Sequence, residues 1–339
     1  MIVNTPKNTV KMDSQGLDHT LRPKSWQDYI GQEKIKKTLE VMIEAAKQRK
    51  EPLDHLLFYG NPGLGKTTLS NIIAKEMNVN ILTTSGPNLR HGGDMASILT
   101  NLNSGDILFI DEIHRMNKVC EEIIYPVMED YTLHLVVGKG PTAQTMQIAL
   151  PPFTLIGATT KMAMLSPPLR SRFGVTLQLN PYNHSEMQEI ITRSAQALNV
   201  SIDKPAIDAI AKCARSTPRI ANHILKRVRD FAQIHNSNNI DGKITATALD
   251  CLEIDNMGLA TEDRKILNTL IKNFDGGPVG IKTLSAATKE EEESILDIYE
   301  PYLLQIGFLE RTPKGRRATK LAYQYLGAEY RQPSDQALI

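Results

Sequence analysis

The sequence has little of what would tie it to an oxidising compartment, a membrane or a metal cluster. Its three cysteines, Cys120, Cys213 and Cys251, are scattered over 339 residues without the spacing of a disulfide framework or a metal site. They fit buried thiols in a reducing compartment. No apolar run approaches the length of a membrane span, and the first twenty residues are polar, with no signal-peptide core. A cytoplasmic protein with no membrane contact is expected, with residues 1–20 as a mobile arm. An excess of charge of one sign is missing too. Lys and Arg total 39 against 38 Asp and Glu, a net charge of +1, so any contact with nucleic acid has to be a local patch. There is one tryptophan, Trp26, no internal repeat, and no biased run except Glu290–Glu293, read as the solvated start of a helix.

What is present is organised around residues 55–68. The apolar run Leu56-Leu57-Phe58-Tyr59 reads as a buried parallel strand, and Gly60-Asn61-Pro62-Gly63-Leu64-Gly65-Lys66-Thr67 is a full P-loop pattern. Helical spacing follows from Leu69 to Met77, so the motif sits between strand and helix as it must. Gly63 and Gly65 let backbone N–H groups close on phosphate oxygens at a helix N-terminus, with Thr68 one residue beyond the motif. Lys66 would reach the β- and γ-phosphates of ATP, and the Thr67 hydroxyl would hold Mg²⁺. A second apolar strand ends in Asp111-Glu112. Asp111 would belong to the Mg²⁺ shell, and Glu112 would orient or deprotonate the attacking water.

The rest of the chain divides by its periodicity. Residues 21–183 hold five short apolar strands separated by helices, an α/β doubly wound parallel sheet. Within it, residues 131–150 read as an inserted β-hairpin turning at Gly138-Lys139-Gly140-Pro141. Its apolar arm, Leu133, Leu135, Val136 and Val137, is expected to be exposed as a binding surface. Residues 184–256 show helical spacing only, a small all-α domain. Residues 257–334 run through three helices into two strands about Thr312-Pro313-Lys314, the layout of a winged helix-turn-helix. The wing carries Arg311, Lys314, Arg316, Arg317 and Lys320 with no acid between them, a pattern suited to phosphate contacts.

Together these words resemble the AAA+ ATPases. More narrowly, the chain resembles the RuvB family of Holliday-junction branch-migration motors. The likeness rests on Leu21-Arg22-Pro23, Asp28-Tyr29-Ile30-Gly31-Gln32, Phe109 to Arg115, Tyr125 to Asp130, Leu150 to Thr160, Thr217 to Asn222, Gly276 to Gly280 and Glu300 to Leu303. It spans about residues 20–330, with Asn61 and Gly92 standing where the family commonly has proline. The resemblance implies further roles. Thr160 would sense the γ-phosphate, with Thr159 as the neighbouring alternative. Arg172 would be a finger reaching the next subunit's nucleotide, with Arg170 competing, and Arg219 would be a second sensor on the lid. Leu21, Arg22 and Tyr182 would frame the adenine, and Glu129, Asp130 and Tyr131 would lie near the site. Arg311 and Arg316 would be the foremost DNA contacts. The implied partners are junction DNA, a RuvA-type protein at the hairpin, a RuvC-type resolvase, and further copies in a hexameric ring. Two other readings of the same residues are a clamp-loader-like ATPase, which the wing argues against, and a nucleotide-switched DNA-binding regulator, which would have no need of Glu112.

Overall fold

The computed structural model describes residues 20–137, 144–235 and 239–330. The expected arm over residues 1–20 and the hairpin turn at 138–141 therefore lie almost wholly outside the described residues. Packing divides the chain into two compact units: residues 1–199 with 216–222, and residues 200–215 with 223–339.

The first unit is built on a five-stranded parallel sheet. Its strands are β1 (Leu56–Tyr59), β2 (Ile81–Ser85), β3 (Ile107–Asp111), β6 (Thr154–Thr159) and β7 (Val175–Gln178), in the order β2-β3-β6-β1-β7. The central strands are apolar throughout because both faces are covered. Leu56, Leu57 and Phe58 are all buried, as are Ile107 to Ile110. On one face, helices Gly92–Thr100 and Lys118–Asp130 pack Met95, Leu99, Cys120, Ile124 and Val127 against Leu57, Leu108, Ile110 and Leu155. Helix Lys66–Met77 turns Leu69, Ile72 and Ile73 inward and packs against β3 and β6. Pro126 sits inside helix Lys118–Asp130, which Asn117 caps by accepting from the Val119 N–H.

His55 fastens the foot of this sheet. Its Nδ1 accepts the Leu155 N–H at 2.9 Å, so the proton is on Nε2, which donates to the Met128 carbonyl at 3.1 Å. Burial lowers the His55 pKa from its ordinary value, against the pull of the Met128 carbonyl and Asp54.

The inserted hairpin is present as β4 (Thr132–Val137) and β5 (Gln144–Ala149), paired antiparallel with Leu135 opposite Met146. The expected exposed arm is corrected here for Leu133 and Leu135, while the side chains of Val136 and Val137 lie outside the described residues. Leu133 is fully buried within the unit's core and Leu135 is half-buried against it, because the base of β4 continues from helix Lys118–Asp130 into that core. Among the described residues of the hairpin, the exposed large apolar side chain is Met146, on the opposite strand.

The second unit contains helices Lys204–Cys213 and Gly242–Cys251. The all-helical expectation for residues 184–256 needs correcting. Ser201–Ile202 (β8) and Asn239–Ile240 (β9) form a short parallel pair, too brief for any periodicity to reveal. The winged helix follows, with helices Thr261–Phe274 and Ile281–Thr288. Its third helix begins at Glu292–Ser294, widens to a π-helical stretch over Ile295–Tyr299 and continues as Glu300–Gln305. The wing is β10 (Leu309–Thr312) with β11 (Gly315–Ala318), and helix Lys320–Tyr325 closes the described chain. Leu267, Leu270, Leu284, Ile295, Leu303 and Phe308 form its core. Arg215 joins these helices through a polar seam. It donates to the Gly258 carbonyl at 2.7 Å, pairs with the buried Asp263 and lies 4.9 Å from the Tyr302 ring centroid.

Candidate nucleotide site and basic wing

The P-loop opens onto a cavity of about 470 Å³ in the first unit. Gly63, Gly65, Lys66, Thr67, Thr68, Asp111 and Glu112 line it, as do Leu21, Arg22, Tyr182 and Arg219. The loop can approach a ligand closely because its glycines carry no side chain. Gly63 and Gly65 have φ of 81° and 103°, and a Cβ on Gly63 would stand 2.7 Å from the Thr217 methyl. A Cβ on Gly65 would stand 2.9 Å from the Tyr29 hydroxyl. Lys66 donates to the carbonyls of Gly60 at 2.7 Å and Asn61 at 3.0 Å, which holds the loop's curvature. Burial lowers the Lys66 pKa, while Glu112 and Asp111 oppose that shift.

β3 delivers the two acids in different geometries. Asp111 ends the strand, and its Oδ1 accepts the Glu112 N–H at 3.0 Å. Glu112 then turns into the left-handed region, φ 47° and ψ 46°, which redirects its side chain at a cost of about 1–3 kcal/mol. The turn closes on Gly86, where a Cβ would lie 2.3 Å from the Glu112 carbonyl oxygen. The Glu112 carboxylate accepts from the Thr160 hydroxyl at 3.1 Å and lies 3.2 Å from His114 Nδ1. That same nitrogen is 2.9 Å from the Thr159 hydroxyl. Both threonines at the end of β6 thus reach the acid, Thr160 directly and Thr159 through the buried His114. Thr160 does not itself line the cavity.

Four expected nucleotide residues stand apart from that cavity. Glu129, Asp130, Tyr131 and Arg172 are not among its lining residues. Arg172 is held in a nest of its own, 3.1 Å from Glu129, 4.6 Å from the Tyr125 ring centroid and donating to the Pro168 carbonyl at 2.9 Å. Its Nε is buried without a hydrogen-bond partner among the described residues.

Sequence reasoning missed other lining residues, notably Tyr29, Arg193 and Asn222. Arg193 straps the 21–28 segment in place, donating to the Leu21 and Asp28 carbonyls at 2.6 and 2.8 Å. Asn222 Oδ1 is buried and has no hydrogen-bond partner among the described residues, and the Tyr29 hydroxyl is buried beside the Tyr182 side chain. Asp28-Tyr29 and Asn222 fall in segments quoted for their family likeness, and Arg193 sits on a helix where nothing local marks it.

The wing is less purely basic than its sequence. Arg311 and Arg316 stand directly opposite each other across β10 and β11. Both bond the fully buried Glu300, Arg311 Nε at 2.5 Å and Arg316 Nε at 3.3 Å. Arg317 pairs with Glu310. Lys314 is exposed at the turn. Among the described residues no helix is long and apolar enough to cross a membrane, and no cluster of three His, Cys, Asp or Glu could hold a metal ion.

Three family profiles cover nearly the whole chain. Residues 21–179 match the Holliday junction DNA helicase RuvB P-loop domain, 182–255 the RuvB AAA lid domain and 256–327 the RuvB C-terminal winged helix domain. The Holliday junction branch migration complex subunit RuvB of Dehalococcoides mccartyi (strain CBDB1) is 55% identical over 318 residues, covering 94% of this chain and 91% of that one. Among solved structures, the Thermotoga maritima RuvB Holliday junction branch migration motor is 50% identical with a TM-score of 0.84, covering 91% of this chain and 99% of that one. A mutant of the same Thermotoga maritima protein gives 49% identity, the same TM-score and the same coverage.

Proposed function

The chain belongs to the RuvB family of AAA+ ATPases, motors of Holliday-junction branch migration, and from that premise we propose how its own residues divide the work. The observation that supports the division best is the convergence of Lys66, Thr67, Asp111, Glu112 and Arg219 on one cavity. Backbone N–H groups around Gly63 and Gly65 cradle the phosphates of ATP, and Lys66 neutralises the β- and γ-phosphates. The unpaired Asn222 amide oxygen suits a polar ligand in the same cavity.

The donors also suit Mg²⁺. The Thr67 hydroxyl and Asp111 carboxylate are the hard oxygen ligands that this ion takes alongside phosphate. When bound, the ion draws charge off the phosphates. Glu112 orients the attacking water and takes its proton, while Thr160 and His114 hold the carboxylate in place. Arg219 reports the nucleotide to the lid.

Arg172 acts on the nucleotide of a neighbouring subunit in a hexameric ring. The support is that it does not line its own chain's cavity and is held instead by Glu129 and Tyr125. Glu129, Asp130 and Tyr131 belong to the same inter-subunit face. The wing carries the DNA contacts through Arg311, Lys314, Arg316 and Arg317. The hairpin docks a RuvA-type partner through the part beyond its buried base, where Met146 is exposed, with Val136 and Val137 on the facing strand. A RuvC-type resolvase completes the assembly in the cytoplasm. The functional boundaries are 21–183, 184–256 and 257–334.

The test is ATP-dependent dissociation of a synthetic four-way junction with and without a RuvA-type protein. Stimulation by that protein is expected, and dissociation that needs no ATP would overturn the scheme. Mixing Arg172→Ala with Lys66→Ala subunits tests the finger. Partial recovery of ATPase is expected, and none would remove the action in trans.

A further inference from the structure

Two arginines face each other across the wing, and like charges directly opposite on paired strands repel. The backbone leaves Arg316 no freedom to turn away. Its N–H and carbonyl are both taken by Val279, at 2.8 and 2.9 Å. The repulsion is relieved by Glu300, which is fully buried and yet bonds both guanidinium groups. Arg311 remains more than half exposed (58%), whereas Arg316 is mostly covered (17%). A buried carboxylate without partners would be costly, so the three charges exist only as a set, with net charge +1.

The helix departs from α-helical geometry just before Glu300. Glu300 follows the π-helical turn Ile295–Tyr299 and precedes Pro301, which has no N–H for the ordinary helical ladder. The extra residue in that turn changes which side of the helix Glu300 occupies. The helix and the run leading into it are otherwise hostile to DNA: Glu290 to Glu293, Asp297 and Glu300 are their charged residues, with no Lys or Arg between 290 and 310. An acid there is useful to a nucleic-acid-binding domain only if it acts through other residues.

We propose that Glu300 is the positioning residue of the wing, fixing the Arg311 and Arg316 guanidinium groups in one orientation so that both meet phosphates of the DNA backbone. The inference rests on the reading of the wing as the DNA contact. A guanidinium binds a carboxylate or phosphate through a rigid fork of donors, so one edge held by Glu300 sets the direction of the other.

The sign of the effect separates this role from simple electrostatics. Glu300→Gln removes a negative charge beside a DNA contact, which by charge alone tightens binding. Loss of positioning weakens it instead. The experiment measures binding of labelled duplex DNA by the full chain over a salt series, with thermal unfolding as the check on folding. Glu300→Gln is expected to weaken binding about tenfold and to flatten the salt dependence by about one phosphate contact. In an Arg311→Ala/Arg316→Ala background the same change is expected to do nothing further. Unchanged or tighter binding by Glu300→Gln would overturn the proposal. If that variant fails to fold, Arg316→Lys replaces it, keeping the charge and losing the fork. A loss of about tenfold supports positioning, and wild-type affinity overturns it. The double arginine variant isolates the underlying reading: undiminished DNA affinity there removes the wing itself from DNA binding.

Discussion

The chain has two places suited to phosphate, and they are made of opposite materials. At the P-loop the cradle is backbone, opened by Gly63 and Gly65 and sunk in a cavity, with one buried lysine. At the wing the donors are arginine side chains on a two-stranded ribbon, directed by a carboxylate from a neighbouring helix. Backbone donors in a closed cavity fit a single small ligand and hold their geometry without help. Side-chain donors on a surface accept a polymer at many registers, but need another residue to aim them. Each site accordingly has a glutamate, with opposite relations to its ligand. Glu112 lines the cavity itself, and Glu300 is buried against the wing's two arginines.

The largest effect that separates the sites is expected from Glu112→Gln. ATP hydrolysis should fall by about 10²–10⁴-fold while ATP still binds, measured by phosphate release and nucleotide titration. Normal turnover would dissolve the distinction between a reacting and an aiming glutamate. Lys66→Ala comes next, with ATP affinity reduced about a hundredfold or more by loss of the buried charge partner. Arg316→Ala should weaken duplex DNA about tenfold. Salt sharpens the contrast further: four cationic wing contacts per subunit give DNA affinity a log–log slope of about −3 to −4, and ATP in the buried cavity should respond much less. The smallest effect concerns the frame rather than either site. His55 has a lowered pKa when folded, so the unfolded chain takes up its proton first as pH falls through its ordinary 6.5. Its contribution is complete above that pH and declines below it. The melting temperature should therefore drop shallowly on acidification, and less so in His55→Asn.

These contrasts were unevenly legible in the sequence. The parallel strands announce themselves because burial on both faces demands unbroken apolar runs such as Leu56 to Phe58. The P-loop and Asp111-Glu112 are legible because their chemistry is local in the chain. Arg193 is not, since it acts on Leu21 and Asp28 from more than 160 residues away. Glu300 is hidden for a related reason: in the sequence the wing shows no acid from Arg311 to Lys320, and its counter-ion comes from the preceding helix. Leu133 misled because an apolar strand arm looks the same whether it faces a partner or its own core. The pair Ser201–Ile202 and Asn239–Ile240 is too short to carry a period at all.

The missing side chain at residue 86 has a genetic consequence. Gly86 is not among the residues lining the nucleotide cavity and touches no ligand in this scheme, yet a single methyl group there would collide with the backbone oxygen of Glu112 and crowd Met116 and Arg115. A Gly86→Ala strain should therefore behave as a slow ATPase with an intact nucleotide pocket. Its second-site suppressors should cluster between residues 112 and 116, where the chain can move aside. A screen that instead returned suppressors scattered through the P-loop would show that the turn yields more easily than its contacts imply.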